Sequence, residues 1–141
     1  MTRRYWIGVA SCNHVQLGVK GGFCQVCHGK AQPLKRMSKN DVIIYYSPTK
    51  ELGVKDRFQS FSAIGRLIDD DIYQFSMTET FSPYRRNVEF YTSITPVNIH
   101  SILYHLDFIT DVQHYGQKFR YGLFEITKKD AMTIWKAMIH Q

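Results

Sequence analysis

Apolar positions first fall into short runs with the period of strands, and only near the end into the period of a helix. Tyr5-Trp6-Ile7-Gly8-Val9-Ala10 is aromatic and β-branched and predicts a buried strand. It stops at Ser11-Cys12-Asn13-His14, a polar cluster that sets hydrogen-bonding groups at the rim of a core. Val15 to Gly18 reads as one helical turn ended by glycine. Val42-Ile43-Ile44-Tyr45-Tyr46 is a continuous apolar run, as expected of a strand buried on both faces, and Ser47-Pro48 stops it. Phe58 to Ile68 predicts another strand, with Ile72 to Met77 as its hairpin partner across the acidic turn Asp69-Asp70-Asp71. Val88 to Ile94 and Phe119 to Ile126 also have strand character.

Thr95-Pro96 has the form of an N-cap followed by proline, and Ile99, Ile102, Leu103 and Leu106 then share one helical face. Thr127 to Asp130 is a helix-start signature, followed by Ala131, Ile134, Trp135 and Met138 on one face of a last helix. The sum is five or six strands and two to four short helices, with no internal repeat and no βαβ alternation. This predicts an α+β domain, a small, partly open, mostly antiparallel barrel with helices at its ends, rather than a doubly wound nucleotide-binding sheet.

One stretch fits neither period. Gly21-Gly22-Phe23-Cys24-Gln25-Val26-Cys27-His28-Gly29-Lys30 runs into Pro33, Lys35 and Arg36. Glycines make it a loop in which backbone can approach a ligand, and it carries an aromatic ring, an amide, an imidazole, thiols and cations. If the strands ending at Ser11 and at Ser47 are neighbours, they form one pocket rim with this loop across it.

Charge sharpens that picture. The net charge is +6, and the first forty residues hold seven basic residues and no acid before Asp41, an asymmetry that favours an anionic partner such as nucleic acid. No apolar run is long enough to span a bilayer, and the N-terminus lacks the pattern of a signal peptide, so a cytoplasmic protein without a membrane partner is expected. The three cysteines are an odd number, against a disulfide framework. Cys24-x-x-Cys27-His28 is half of a zinc pattern without its second pair, so neither metal nor other cofactor is expected. The three aspartates at 69–71 lack the spacing of a calcium loop.

The residues also resemble a known family, the EVE domain of the PUA-like superfamily. The matching runs are Tyr5-Trp6-Ile7-Gly8-Val9, Ser11 to Val15, Gly21-Gly22-Phe23 through His28-Gly29-Lys30 with Pro33-Leu34, and Tyr45-Tyr46-Ser47-Pro48. Phe61 to Gly65, Pro83-Tyr84-Arg85-Arg86 and Phe119 to Ile126 continue them in order, so residues 1–141 read as one EVE domain. The resemblance implies a partly open barrel without catalytic machinery, similar to YTH and ASCH domains, and a role in reading a modified base in DNA or RNA.

Carried onto this chain, it implies a pocket lined by Ser11, Asn13, His14, Gly22, Phe23 and Gln25, with His28, Lys30, Tyr45 and Ser47. Tyr115 stands where many members carry tryptophan. Lys35, Arg36, Arg85, Arg86 and Arg120 are the candidate phosphate contacts, and the expected state is a monomer or weak dimer. Two other readings stand beside it. One is a small enzyme using His14 and His28 with Cys12, Cys24 or Cys27 as nucleophile. The other is a sensor of a free nucleotide-like molecule.

Overall fold

The computed structural model describes residues 2–139. Five strands of four or more residues carry the sheet: β1 (Tyr5–Val9), β3 (Val42–Ser47), β4 (Ser60–Leu67), β6 (Tyr84–Phe90) and β8 (Leu123–Ile126). Three two-residue strands complete it: β2 (Phe23–Cys24), β5 (Tyr73–Gln74) and β7 (Val97–Asn98). The order is β2-β6-β4-β3-β1-β8, with β5 also on β6 and β7 on β4, and the sheet does not close. Only β1 and β3 run parallel; every other pairing is antiparallel. The fold is thus mixed α+β with an open sheet and a C-terminal helix.

Both faces of the sheet are covered, which is why β3 reads as unbroken apolar sequence. Ile7, Ile44, Tyr46 and Phe61 point to one side, under Ala131, Ile134 and Met138 of α3 (Lys128–Ile139). Trp6, Ile43, Tyr45 and Leu123 point to the other, against Val15 of α1 (Cys12–Gly21) and Leu34 of α2 (Ala31–Leu34). Each fully buried aliphatic side chain, such as Ile134 at 0% exposure, contributes about 2 kcal/mol. Asp41 pins the start of β1 to that of β3: its buried carboxylate accepts from Trp6 Nε1 (3.0 Å), Arg4 N (3.0 Å) and Ser38 N (2.9 Å).

Several local expectations need correction. Helix α1 is ten residues long rather than one turn, and it passes through Gly18 and Gly21 before stopping at Gly22 in the left-handed region. The expected helix from Thr95 to Asp107 is instead β7 followed by two 3₁₀ turns, Ile99–Ser101 and Leu103–His105. Strand β5 pairs with β6 and not with β4, and β6 begins at Tyr84, so Arg85 and Arg86 lie within a strand. Residues 112–121 form 3₁₀ turns, which delays β8 to Leu123. No helix of the described residues is long and apolar enough to cross a membrane.

Candidate functional site

A cavity of about 470 Å³ opens where β1 ends and α1 begins. Its walls come from five parts of the chain: Val9 to Gly18, Phe23 to Gly29, Tyr45 to Leu52, Phe81, and Phe119 to Gly122. Of the residues expected there, Ser11, His14, Phe23, Gln25, His28 and Tyr45 line it. Arg120, expected as a phosphate contact, lines it too.

Ser11 is the N-cap residue of α1, yet its side chain makes no capping bond. Its hydroxyl is buried, with the residue 6% exposed, and has no hydrogen-bond partner among the described residues. A buried hydroxyl left unpaired costs about 1–3 kcal/mol, and the residue that carries it lies on the cavity wall. Tyr45, 3% exposed, donates to the carbonyl of Gln25 at 2.7 Å and accepts from its N–H at 3.1 Å. Burial drives its phenol well above the ordinary value, and the backbone N–H of Gln25 only partly opposes this. The register shifts between Tyr45 and Tyr46, which pair with Ala63 and Phe61, so Ser62 is the extra residue of a bulge in β4 opposite the end of β3 beside the site.

The glycine-rich segment follows a strained path. Cys27, His28 and Gly29 are three successive residues with positive φ, at 50°, 62° and 81°. Glycine is required at the third, because a Cβ there would come within 2.5 Å of Pro83 Cβ. The path holds His28 exposed at the cavity's edge and tucks Cys27 against Gly122. Sustained left-handed backbone in non-glycine residues is typical of places where the surroundings dictate geometry for function.

The remaining expected residues lie elsewhere. Asn13 faces a separate shallow depression with Gln16, Leu17 and Lys20. Ser47 is fully buried and shares a 2.7 Å hydrogen bond with Ser62. Tyr115 packs against the opposite face of the sheet, its ring edge-on to His100. Gly22 and Lys30 are outside the cavity wall, although Lys30 and Arg36 both act electrostatically on Cys27. Lys35 is exposed. Arg36 is exposed, stacks 5.0 Å from the Trp6 ring and donates to Leu123 O at 3.2 Å.

The two adjacent arginines are structural. Arg86 is 1% exposed and donates to the carbonyls of Leu34, Met37 and Asp69 at 2.7–2.8 Å, which leaves no face for a phosphate. Arg85 is 7% exposed, with its guanidinium 3.7 Å from the Phe23 ring and 4.2 Å from that of Phe75. One face of Phe23 is therefore already covered. Phe119, Phe81, Thr49 and Leu52 are among the wall residues that were not expected. Leu52 carried a weak signal, as one of two apolar residues with Val54 in a charged loop. Phe119 stacks on Tyr46 at 3.9 Å, a contact that no local pattern announces.

Burial pushes all three thiols up, Cys24 to about 12. Cys27 Sγ is directed to the carbonyl of Tyr121 at 3.6 Å. No group of three histidine, cysteine or carboxylate residues among the described residues is placed to hold a metal.

The chain thus has a sheet with helices on both faces and a cavity at its strand ends. The family model described as the EVE domain matches residues 4–137, and the chain belongs to that family. It is 47% identical to a UPF0310 protein of Streptococcus mutans, covering 96% of each chain. It is 42% identical to UPF0310 protein YdcG of Bacillus subtilis, covering 98% of this chain and 94% of that one. Among solved structures it is similar to the Mmi1 YTH domain, with a TM-score of 0.62 at 12% identity over 98% of this chain and 76% of that one. It is also similar to a mutant ZmASCH protein from Zymomonas mobilis, with a TM-score of 0.58 at 14% identity over 96% of this chain and 97% of that one. At these identities the likeness to the YTH and ASCH structures is one of fold.

Proposed function

We propose that this protein is a non-catalytic module that seats one flipped, modified nucleobase of a DNA or RNA strand in the cavity beside α1. The observation that carries this reading is a cavity whose wall combines apolar and aromatic side chains with the polar groups of Ser11, His14, Gln25, His28 and Arg120, the buried Ser11 hydroxyl being without a partner among the described residues. Its volume lies within the roughly 300–1,000 Å³ usual for small-ligand sites. Val9, Val15, Val26 and Phe81 offer apolar contact to a base and to an added methyl group. Arg120 lines the cavity beside His14 and His28, and Lys30 and Arg36 lie exposed near its Cys27, so phosphates flanking the base meet cations. Flipping a base costs a few kcal/mol, and stacking on an aromatic wall returns about 1–3 kcal/mol.

The thiol chemistry supports binding over nucleophilic catalysis. Burial keeps the thiols in the unreactive protonated form, and Cys27 hydrogen-bonds a carbonyl rather than an imidazole. The test is binding of modified and unmodified oligonucleotides at two salt concentrations, with wild type and Ser11→Ala. Affinity should fall with salt, favour a modified base, and drop on the order of tenfold in Ser11→Ala. Uniformly negligible binding, or affinity indifferent to salt, would refute the proposal. Thermal stabilisation by a free nucleoside without oligonucleotide affinity would replace it with the reading of a small-molecule sensor.

A further inference from the structure

We infer that Arg85, from behind the wall, turns the Gln25 amide so that it offers the cavity a hydrogen-bond donor, and that the site selects a base by an exocyclic carbonyl rather than an exocyclic amino group. The inference rests on the base-binding reading and names the chemistry by which that site discriminates.

The starting point is a 2.7 Å contact from Arg85 Nε to Gln25 Oε1. A guanidinium has no acceptor, so the amide end it holds is the carbonyl. That assignment follows from Arg85 being arginine. The guanidinium cannot swing away easily, because it is packed between the rings of Phe23 and Phe75 at 3.7 and 4.2 Å. The backbone of Gln25 is equally fixed, its N–H and C=O both bonded to the Tyr45 hydroxyl. With main chain and Oε1 held, Nε2 is the end of Gln25 without a protein partner among the described residues, and Gln25 lines the cavity. An amide nitrogen only donates.

The rest of the lining agrees in sign. Tyr45 has its hydroxyl engaged by the backbone of Gln25 and so reads nothing. Ser11 can donate or accept. Among the lining side chains there is no aspartate or glutamate, and the charged or chargeable ones are His14, His28 and Arg120. Gln25 is flanked by Tyr45 and Arg85, at 3% and 7% exposure, whereas His14, His28 and Arg120 are exposed. A flipped nucleotide therefore keeps sugar and phosphate with the cations, and the base edge farthest from the sugar meets Gln25. Thymine presents a carbonyl at position 4 of that edge. 5-Methylcytosine presents an amino group there, which would set N–H against N–H. Sites with a fixed hydrogen-bonding group reject analogues that leave it unpaired.

Thymine and 5-methylcytosine carry the same methyl group and differ in the oxo-or-amino pattern of one edge. The experiment uses two strands of abasic sites, identical except that one carries a single thymine and the other a single 5-methylcytosine. Wild type should bind the thymine strand about tenfold more tightly or better. Gln25→Glu presents an acceptor in place of the donor, and the ratio should move by at least about tenfold toward 5-methylcytosine. Arg85→Met keeps an apolar filler between the two rings but frees the amide to turn, and the preference should shrink toward unity. If Arg85→Met does not fold, Gln25→Glu decides alone. Binding without a thymine preference, or a ratio unchanged in Gln25→Glu, overturns this inference while base binding stands. Wild type binding neither strand at low salt, while it binds another modified oligonucleotide, overturns this inference alone; binding none of them removes the base-binding reading itself.

Discussion

His28 holds φ 62° and ψ 32° between two other left-handed residues. For a residue with a Cβ this conformation costs about 1–2 kcal/mol. His28→Gly should therefore unfold at equal or higher denaturant concentration, by up to about 1 kcal/mol, whereas His28→Val should lose about 1–2 kcal/mol. A chemical-denaturation series of the three proteins checks the order. At this scale part of the cavity wall was legible: strand ends, the glycine-rich segment and the family resemblance pointed to Ser11, His14, Phe23, Gln25, His28 and Tyr45, which line it, but also to Asn13, Gly22, Lys30, Ser47 and Tyr115, which do not. The arginines show the limit. Arg85 and Arg86 read alike in the sequence, but one is sandwiched by rings from two other segments and the other is claimed by three carbonyls. Neither fate is written in the residues beside them.

At the level of elements, α1 shows how close packing overrides a propensity signal. Gly18 and Gly21 read as breakers, yet the helix runs through both because Phe23 folds back against them. A Cβ on Gly18 would lie 2.4 Å from the Phe23 carbonyl oxygen, and one on Gly21 would lie 2.4 Å from the Phe23 ring. Helix propensity alone would make Gly18→Ala stabilising by about 1 kcal/mol. The clash with fixed backbone should reverse the sign, giving a net loss of about 1–3 kcal/mol in a thermal melt, with weaker ligand binding as Phe23 moves. A melt equal to or above wild type would show that β2 yields freely. The helix expected from Thr95 failed for a different reason. Consecutive 3₁₀ turns repeat every three residues, so Ile99, Leu103 and Leu106 reach the core with nearly the spacing of an α-helical face. The strands β1 and β3 were legible as short β-branched and aromatic runs bounded by polar or proline stops, and β4 and α3 by the periods of their apolar positions.

The whole molecule carries an alkaline weakness that no single element reveals. Cys24 is raised to about 12 by burial, and burial raises Tyr45 and Tyr46 as well. Above the unfolded thiol value of about 9, the native state therefore binds more protons than the unfolded state, and stability falls as pH rises. Denaturation midpoints should be flat through neutral pH and decline from about pH 9 upward, less steeply in Cys24→Ala. The open sheet order could not be deduced from the sequence, since β1 sets Tyr5 beside both Val42 and Ile126, and nothing local announces either partner. That separation has a practical side. The pocket gathers its walls from residues 9 to 122, so a molecule lodged in it fastens most of the polypeptide at once. A guest at a hundred times its dissociation constant should then add about 2.7 kcal/mol to global stability, which makes a simple melting screen of nucleosides and short strands a direct way to find it.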